Sequence, residues 1–267
     1  MMEAIDRTLT AHMTLTGKGG CGKSFLAWLI AQYLRDREVK VTCIDTDPIN
    51  PILGTYTSLG TITLPLRKSA ESGIEPGDLS ELFAVFEHAS QTISGDLHFV
   101  IDVGSVAYLP MLEYLSVGHG LEILDGFGVQ LVIHAPVAGA EYLQFNISAL
   151  REMTEKFAGL GVDFVAYINP HFSRKGDPVL PPGMTLTQLI PQHDTLRAIE
   201  LPRLTESTEL KYIRDLQSRG LIMSDVGDPQ LNFDSYTKML VPLIRRKLYG
   251  SLTVLNELVD GTAHHAA

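Results

Sequence analysis

Gly17-Lys18-Gly19-Gly20-Cys21-Gly22-Lys23-Ser24 fits the pattern G-x-x-x-x-G-K-[ST], and its surroundings give the pattern meaning. The apolar run His12–Thr16 precedes it, and Lys23–Arg37 follows it with apolar residues at Phe25, Leu26, Leu29, Ile30, Tyr33 and Leu34. That spacing is helical and predicts a sheet-facing stripe. Strand, glycine-rich turn and helix in this order make a phosphate cradle: the glycines let successive N–H groups point at a β-phosphate, and the helix start adds its positive dipole end. Lys23 then bridges the β- and γ-phosphates, and the Ser24 hydroxyl is placed on Mg²⁺. A plain strand-to-helix turn with no ligand would not need a Lys-Ser pair opening the helix.

The same alternation continues along the chain. Short, nearly continuous apolar runs at Val39–Ile44, His98–Asp102, Val129–Ala135, Val162–Ile168 and Leu196–Leu201 read as buried parallel strands. Helices are predicted over Leu79–Ser90, Ala140–Phe157, Glu206–Arg219 and a long stretch from about Phe233 to Leu258, with a kink or break at Pro242. Arg67–Gly77 and Pro170–Gly183 read as long loops. The predicted architecture is α/β, a doubly wound, mostly parallel sheet flanked by helices in the P-loop NTPase manner. One domain spans residues 1–260, and 261–267 form a disordered tail.

Two further segments carry carboxylates to strand ends, where open α/β sheets present their ligands. Leu97-His98-Phe99-Val100-Ile101-Asp102, followed by Val103-Gly104-Ser105, has the form of a Walker B strand, whose aspartate anchors Mg²⁺ through water. Cys43-Ile44-Asp45-Thr46-Asp47-Pro48-Ile49-Asn50 places a pair of aspartates after the second strand. Asp45 either joins the metal shell or caps backbone amides, the commoner fate of an aspartate there. The N-K-x-D sequence of guanine-reading GTPases is absent.

Lys18, directly after the first glycine, gives the loop the form Lys-Gly-Gly-x-Gly-Lys-Ser. This resembles the deviant Walker A loop of the MinD/ParA/Soj and nitrogenase-iron-protein group of ATPases. The resemblance implies ATP binding by Gly17, Lys18, Gly19, Gly20, Cys21, Gly22, Lys23, Ser24 and Phe25, and a homodimer in which Lys18 reaches the phosphates of the other subunit. Lys18 acting on the phosphates of its own subunit is the alternative. By the same resemblance Asp47, in a D-x-D-P first switch, orients the attacking water near Mg²⁺, with Ser24, Asp102 and Asp47 around the metal. Asn169 at a strand end contacts adenine, and Pro202 marks the loop beside the base; a turn residue before Pro170 is the plain alternative for Asn169. Asn50 falls one residue earlier than the asparagine of the longer D-x-D-P-x-x-N pattern, which shortens the switch. Gln32-Tyr33, Cys43 through Asn50, Ile168-Asn169-Pro170 and Leu201-Pro202 are similar to the TraL-type plasmid conjugal-transfer ATPases, over roughly His12 to Leu258. That likeness implies a partner protein in a conjugation or plasmid-maintenance system.

Bulk properties bound these readings. A 45% apolar share and a mean hydropathy of +0.11 give a large core. A net charge of −10 argues against a general nucleic-acid grip, although a local DNA-binding patch remains open. Cys21 and Cys43 make neither a disulfide framework nor a C-x-x-C metal site, which fits a reduced cytoplasm. No signal peptide is evident, and no stretch reaches the ~18 apolar residues of a membrane span. Met239, Leu240, Leu243, Ile244 and Leu248 beside Arg245-Arg246-Lys247 resemble a weak membrane-surface helix, but packing of that stripe on the domain is preferred over membrane attachment. The nine histidines are scattered and no His-x-x-x-His or Gly-x-Ser-x-Gly pattern occurs. The leading reading is a slow ATPase switch with Lys18, Lys23 and Asp47 as its catalytic residues. The alternatives are a module that binds ATP without hydrolysing it, and a phosphotransferase with a lid drawn from Arg67-Lys68 or Arg174-Lys175.

Overall fold

The computed structural model describes residues 8–259, apart from 67, 70–72, 75, 118, 173–177 and 191–193. The tail 261–267, Arg67, and Arg174-Lys175 lie outside the described residues. Seven strands form one sheet: β1 (Leu9–Thr14), β2 (Val41–Asp45), β3 (Ile62–Thr63), β4 (Leu97–Asp102), β5 (Val129–Ala138), β6 (Asp163–Asn169) and β7 (Leu196–Glu200). Their order is β3-β2-β4-β1-β5-β6-β7, and every pairing is parallel, with Met13 opposite Ile101 on one side and Ile133 on the other. The predicted doubly wound sheet is therefore present, with the glycine-rich loop leaving its central strand. The edge strand β3 is too short to give a sequence signal.

Helices cover both faces: α1 (Lys23–Arg35), α2 (Pro76–Thr92), α3 (Tyr108–Ser116), α4 (Gly120–Gly126), α5 (Leu143–Lys156), α6 (Lys211–Ser218) and α7 (Ser235–Ser251). Alternation along the buried strands sorts side chains between two cores. Leu9, Ala11 and Met13 face Phe86, Met111, Leu112, Leu150 and Met153. Val100, Val132 and Val165 face Leu26, Leu29, Ile244 and Leu248.

Helix α1 is buried on nearly every side, including Ala27, Trp28, Ala31 and Gln32, which the sheet-facing stripe did not require. The C-terminal region covers its outer face. Trp28 Nε1 donates to the Leu221 carbonyl at 3.2 Å, and the Met223 amide donates to Gln32 Oε1 at 2.6 Å. Helix α7 runs through Pro242 without a break, correcting half of the kink-or-break expectation. Pro242 lies on the exposed side, so water can satisfy the carbonyl that loses its helical partner, while Thr237, Val241, Ile244 and Leu248 make the buried stripe. Packing thus takes Ile244 and Leu248 from the stripe read in the sequence but leaves Met239 and Leu243 73% and 52% exposed, and among the described residues no helix is long and apolar enough to cross a membrane.

On the α1 face a row of polar rings crosses four adjacent strands. His98 Nδ1 and His12 Nε2, His12 Nδ1 and His134 Nε2, and His134 Nδ1 and Tyr167 Oη each lie 2.9 Å apart. All four side chains are fully buried.

Candidate phosphate and base site

The cradle is built by backbone conformation. Gly22, the residue before α1, has φ of 105° and Gly20 has φ of 78°, both in the left-handed region that only glycine enters without strain. No side chain caps the start of α1, so its first N–H groups face the loop and remain for a ligand. Thr16, at the loop's start, is pinned by Asn146 Nδ2 at 3.2 Å, and Asn146 Oδ1 accepts the Ala138 amide at 3.0 Å. No sequence signal pointed to Asn146.

The two lysines occupy different places. Lys23 is buried, with Nζ 3.4 Å from the Lys18 carbonyl inside the loop. Lys18 Nζ lies over two rings from the start of α5, 4.2 Å from the centre of Phe145 and 4.9 Å from that of Tyr142. Cys21 is buried and its thiol donates to the Lys18 carbonyl at 3.1 Å. Burial pushes its pKa up, away from a reactive thiolate.

Strands β2 and β4 end together, Asp45 opposite Asp102. Thr14 Oγ1 donates to Asp102 Oδ1 at 3.0 Å, and the Thr46 amide and hydroxyl both donate to the Asp102 carbonyl at 3.0 Å. Burial pushes the Asp102 carboxyl up, against hydrogen bonds from Ser24 and Thr14 and the nearby Lys23 charge. Asp45 settles as a cap: Oδ1 accepts the Asp47 amide at 3.0 Å and Oδ2 the Gly54 amide at 2.9 Å. Asp47 in turn accepts the amides of Ile49 and Asn50 on Oδ1, at 2.9 and 3.0 Å. Gly104 lets the loop after β4 approach it, since a Cβ there would lie 3.0 Å from Asp47 Cγ and 3.1 Å from its Cα.

A cleft of about 560 Å³ gathers Gly19, Gly22, Lys23, Ser24, Asp47 and Asp102. Its hard oxygen donors and buried ammonium fit Mg²⁺ with a polyphosphate: Ser24 and Asp102 are adjacent, and among the described residues no cluster of His, Cys, Asp and Glu forms an independent metal cage. Asn169 and Pro202 are not part of this cleft. They stand at the ends of β6 and β7, where Pro170, Pro202 and Arg203 line a second cleft of about 660 Å³. Phe25 joins the two regions, lining the first and meeting the His171 ring edge-on at 6.4 Å between centres. Asn169 is fully buried; its Oδ1 accepts the His171 amide at 3.1 Å, which is the turn bond that the plain alternative required. Tyr142, Phe145 and His171 escaped the sequence reading, and only His171, two residues after Asn169, had a positional clue.

A family model for the CobQ/CobB/MinD/ParA nucleotide binding domain matches residues 12–258. Two curated Escherichia coli relatives, each called Protein TraL, are 30% and 29% identical over 247 and 250 residues, covering 90% of this chain and 96% of each relative. Among solved structures, the septum site-determining protein MinD complexed with Mg-ADP from Pyrococcus horikoshii aligns with a TM-score of 0.46 and 14% identity, covering 94% of this chain and 98% of that one.

Proposed function

The chain belongs to the CobQ/CobB/MinD/ParA nucleotide-binding family, and from that membership we propose that it is an Mg²⁺-dependent ATPase that switches between monomer and ATP-bound homodimer. The observation that carries this is the single cleft in which Lys23, Ser24, Asp47 and Asp102 converge beneath the uncapped start of α1. Ser24 and Asp102 would hold Mg²⁺, which would supply neutralisation of the phosphate charge. Lys23 leaves the Lys18 carbonyl for the phosphates, a stronger charge-assisted partner. Asp47, held by two loop amides through one oxygen, orients a water for in-line attack. Lys18 is supplied to the other subunit's phosphates, adding charge stabilisation that exists only in the dimer.

Dimerisation is supported by exposed apolar side chains on the segments that follow β2, β4 and β5: Ile49, Leu109 and Phe145 are 78%, 62% and 59% exposed. Such residues flanking a ligand cleft suit a face that is covered intermittently. The likeness to two TraL proteins supports a role in plasmid conjugal transfer or maintenance, with the closed dimer positioning a protein partner in the bacterial cytoplasm.

Phosphate release and molecular mass, measured with MgATP for the wild type and Lys18→Ala, test the proposal. The wild type should dimerise and release phosphate; Lys18→Ala should bind ATP yet lose both. A Lys18→Ala protein that still dimerises and turns over at the normal rate would remove this mechanism.

A further inference from the structure

Two polar atoms beside the second cleft are buried without a hydrogen-bond partner: Asn169 Nδ2 and His171 Nε2. Both belong to the segment that leaves β6, at the sheet edge where ligands are presented. Buried polar groups are nearly always satisfied, so a donor and an acceptor left open two residues apart point to a ligand that completes them. The tautomer of His171 follows from its other contact. Its ring hydrogen-bonds to the backbone of Pro202, which has a carbonyl but no N–H. The imidazole must therefore be the donor in that bond. With Nε2 unpartnered, the donor is Nδ1–H, and Nε2 of the neutral ring presents a lone pair. Burial holds His171 below its ordinary pKa, and the charges of Arg203, Arg214 and Lys247 act in the same direction, against the Pro202 bond.

The ring is also fixed in place by Phe25, which lines the phosphate cleft directly after Ser24. Open donor and open acceptor match one purine edge. Adenine presents N7 as acceptor beside the N6 amine as donor, whereas guanine presents two acceptors, N7 and O6.

Resting on the ATP-binding reading above, we propose that His171 is a base-specificity residue. Its Nε2 accepts a hydrogen bond from the adenine N6 amine while Asn169 Nδ2 serves the ring nitrogen, so that guanine is refused by lone-pair opposition at O6. No N-K-x-D element is needed for this discrimination.

Calorimetric Kd values for the Mg²⁺ complexes of ATP, GTP and purine riboside triphosphate, which lacks the exocyclic amine, provide the test. The wild type should favour ATP over the deamino analogue by about tenfold, the worth of one buried hydrogen bond, and over GTP by more. In His171→Phe, which keeps the contact with Phe25, the ATP preference over the analogue should fall to within about twofold, while affinity for the analogue itself stays near wild type. His171→Ala provides the same readout if the larger ring is not accommodated. A purely structural role would weaken all three ligands together. Retention of the full ATP-to-analogue ratio in the variants overturns the proposal, and so does a wild type that binds the two equally. A wild type that binds no triphosphate overturns the ATP-binding reading as well, and is thereby distinguished from failure of the His171 assignment alone.

Discussion

Lys18 and Lys23 are five residues apart and held by different contacts, Lys18 by two aromatic rings and Lys23 by a backbone carbonyl. A cation over aromatic rings near the surface gains about 0.5–1 kcal/mol, whereas a charge-assisted hydrogen bond to an anion gains roughly 1.5–3. The rings of Tyr142 and Phe145 therefore keep Lys18 in place only until a phosphate competes for it. Gly104 imposes a stricter constraint. Its φ of −57° suits any residue, so the requirement for glycine comes from the approach of Asp47 alone. Gly104→Ala should displace Asp47 and lower turnover by about tenfold or more while leaving ATP affinity within about threefold. Steady-state phosphate release alongside a direct binding measurement checks this, and unchanged turnover would show that Asp47 tolerates the shift.

Helix α1 carries the phosphate loop at one end and the C-terminal region along its outer side. Trp28 is fully buried, packs on Tyr56 with ring centres 6.0 Å apart, and donates to Leu221. Trp28→Ala should cost about 3–5 kcal/mol, read as a fall in the urea midpoint, with the region from Leu221 to Asn256 losing amide-exchange protection first. Loss of protection spread evenly over the molecule would show that this region does not open separately. The sequence made the inner stripe of α1 legible because helical spacing is a local property. The outer face was illegible because its partners lie almost two hundred residues away in the chain. Strand β1 begins at Leu9 rather than His12, since Thr8 and Thr10 continue the ladder despite their polarity. Helices α3 and α4 were missed: each is short, and Pro110, tolerated in the first turn of α3, reads in sequence as a breaker. At the site the motif-bearing residues were legible, whereas Tyr142 and Phe145 become neighbours of Lys18 only through the packing of α5 on β5, the strand paired with β1.

Across the whole sheet, the buried imidazoles set the response to acid. Burial pushes His98 down to about 4 and His134 down to about 3, and holds His12 well below its ordinary value of 6.5. The unfolded chain takes up protons near 6.5 that the folded chain refuses, so stability is complete above that pH and falls as pH drops towards 4. Asp45, pushed up to about 6 mainly by burial, and Asp102, also raised by burial, act in the opposite sense at lower pH, where their protonation favours the fold. Between about pH 7.5 and 6 the three rings dominate, and stability should fall by about 2 kcal/mol. Urea titrations at both pH values measure this, and an unchanged midpoint would show that the rings accept protons in place. Each neutral imidazole in the row carries one N–H and one lone pair, so the form of one ring dictates the next, from His98, which joins through Nδ1 alone, through His12 and His134 to Tyr167. Four side chains on four strands thus share a single two-way setting, and their nitrogen resonances should reverse as a set or not at all.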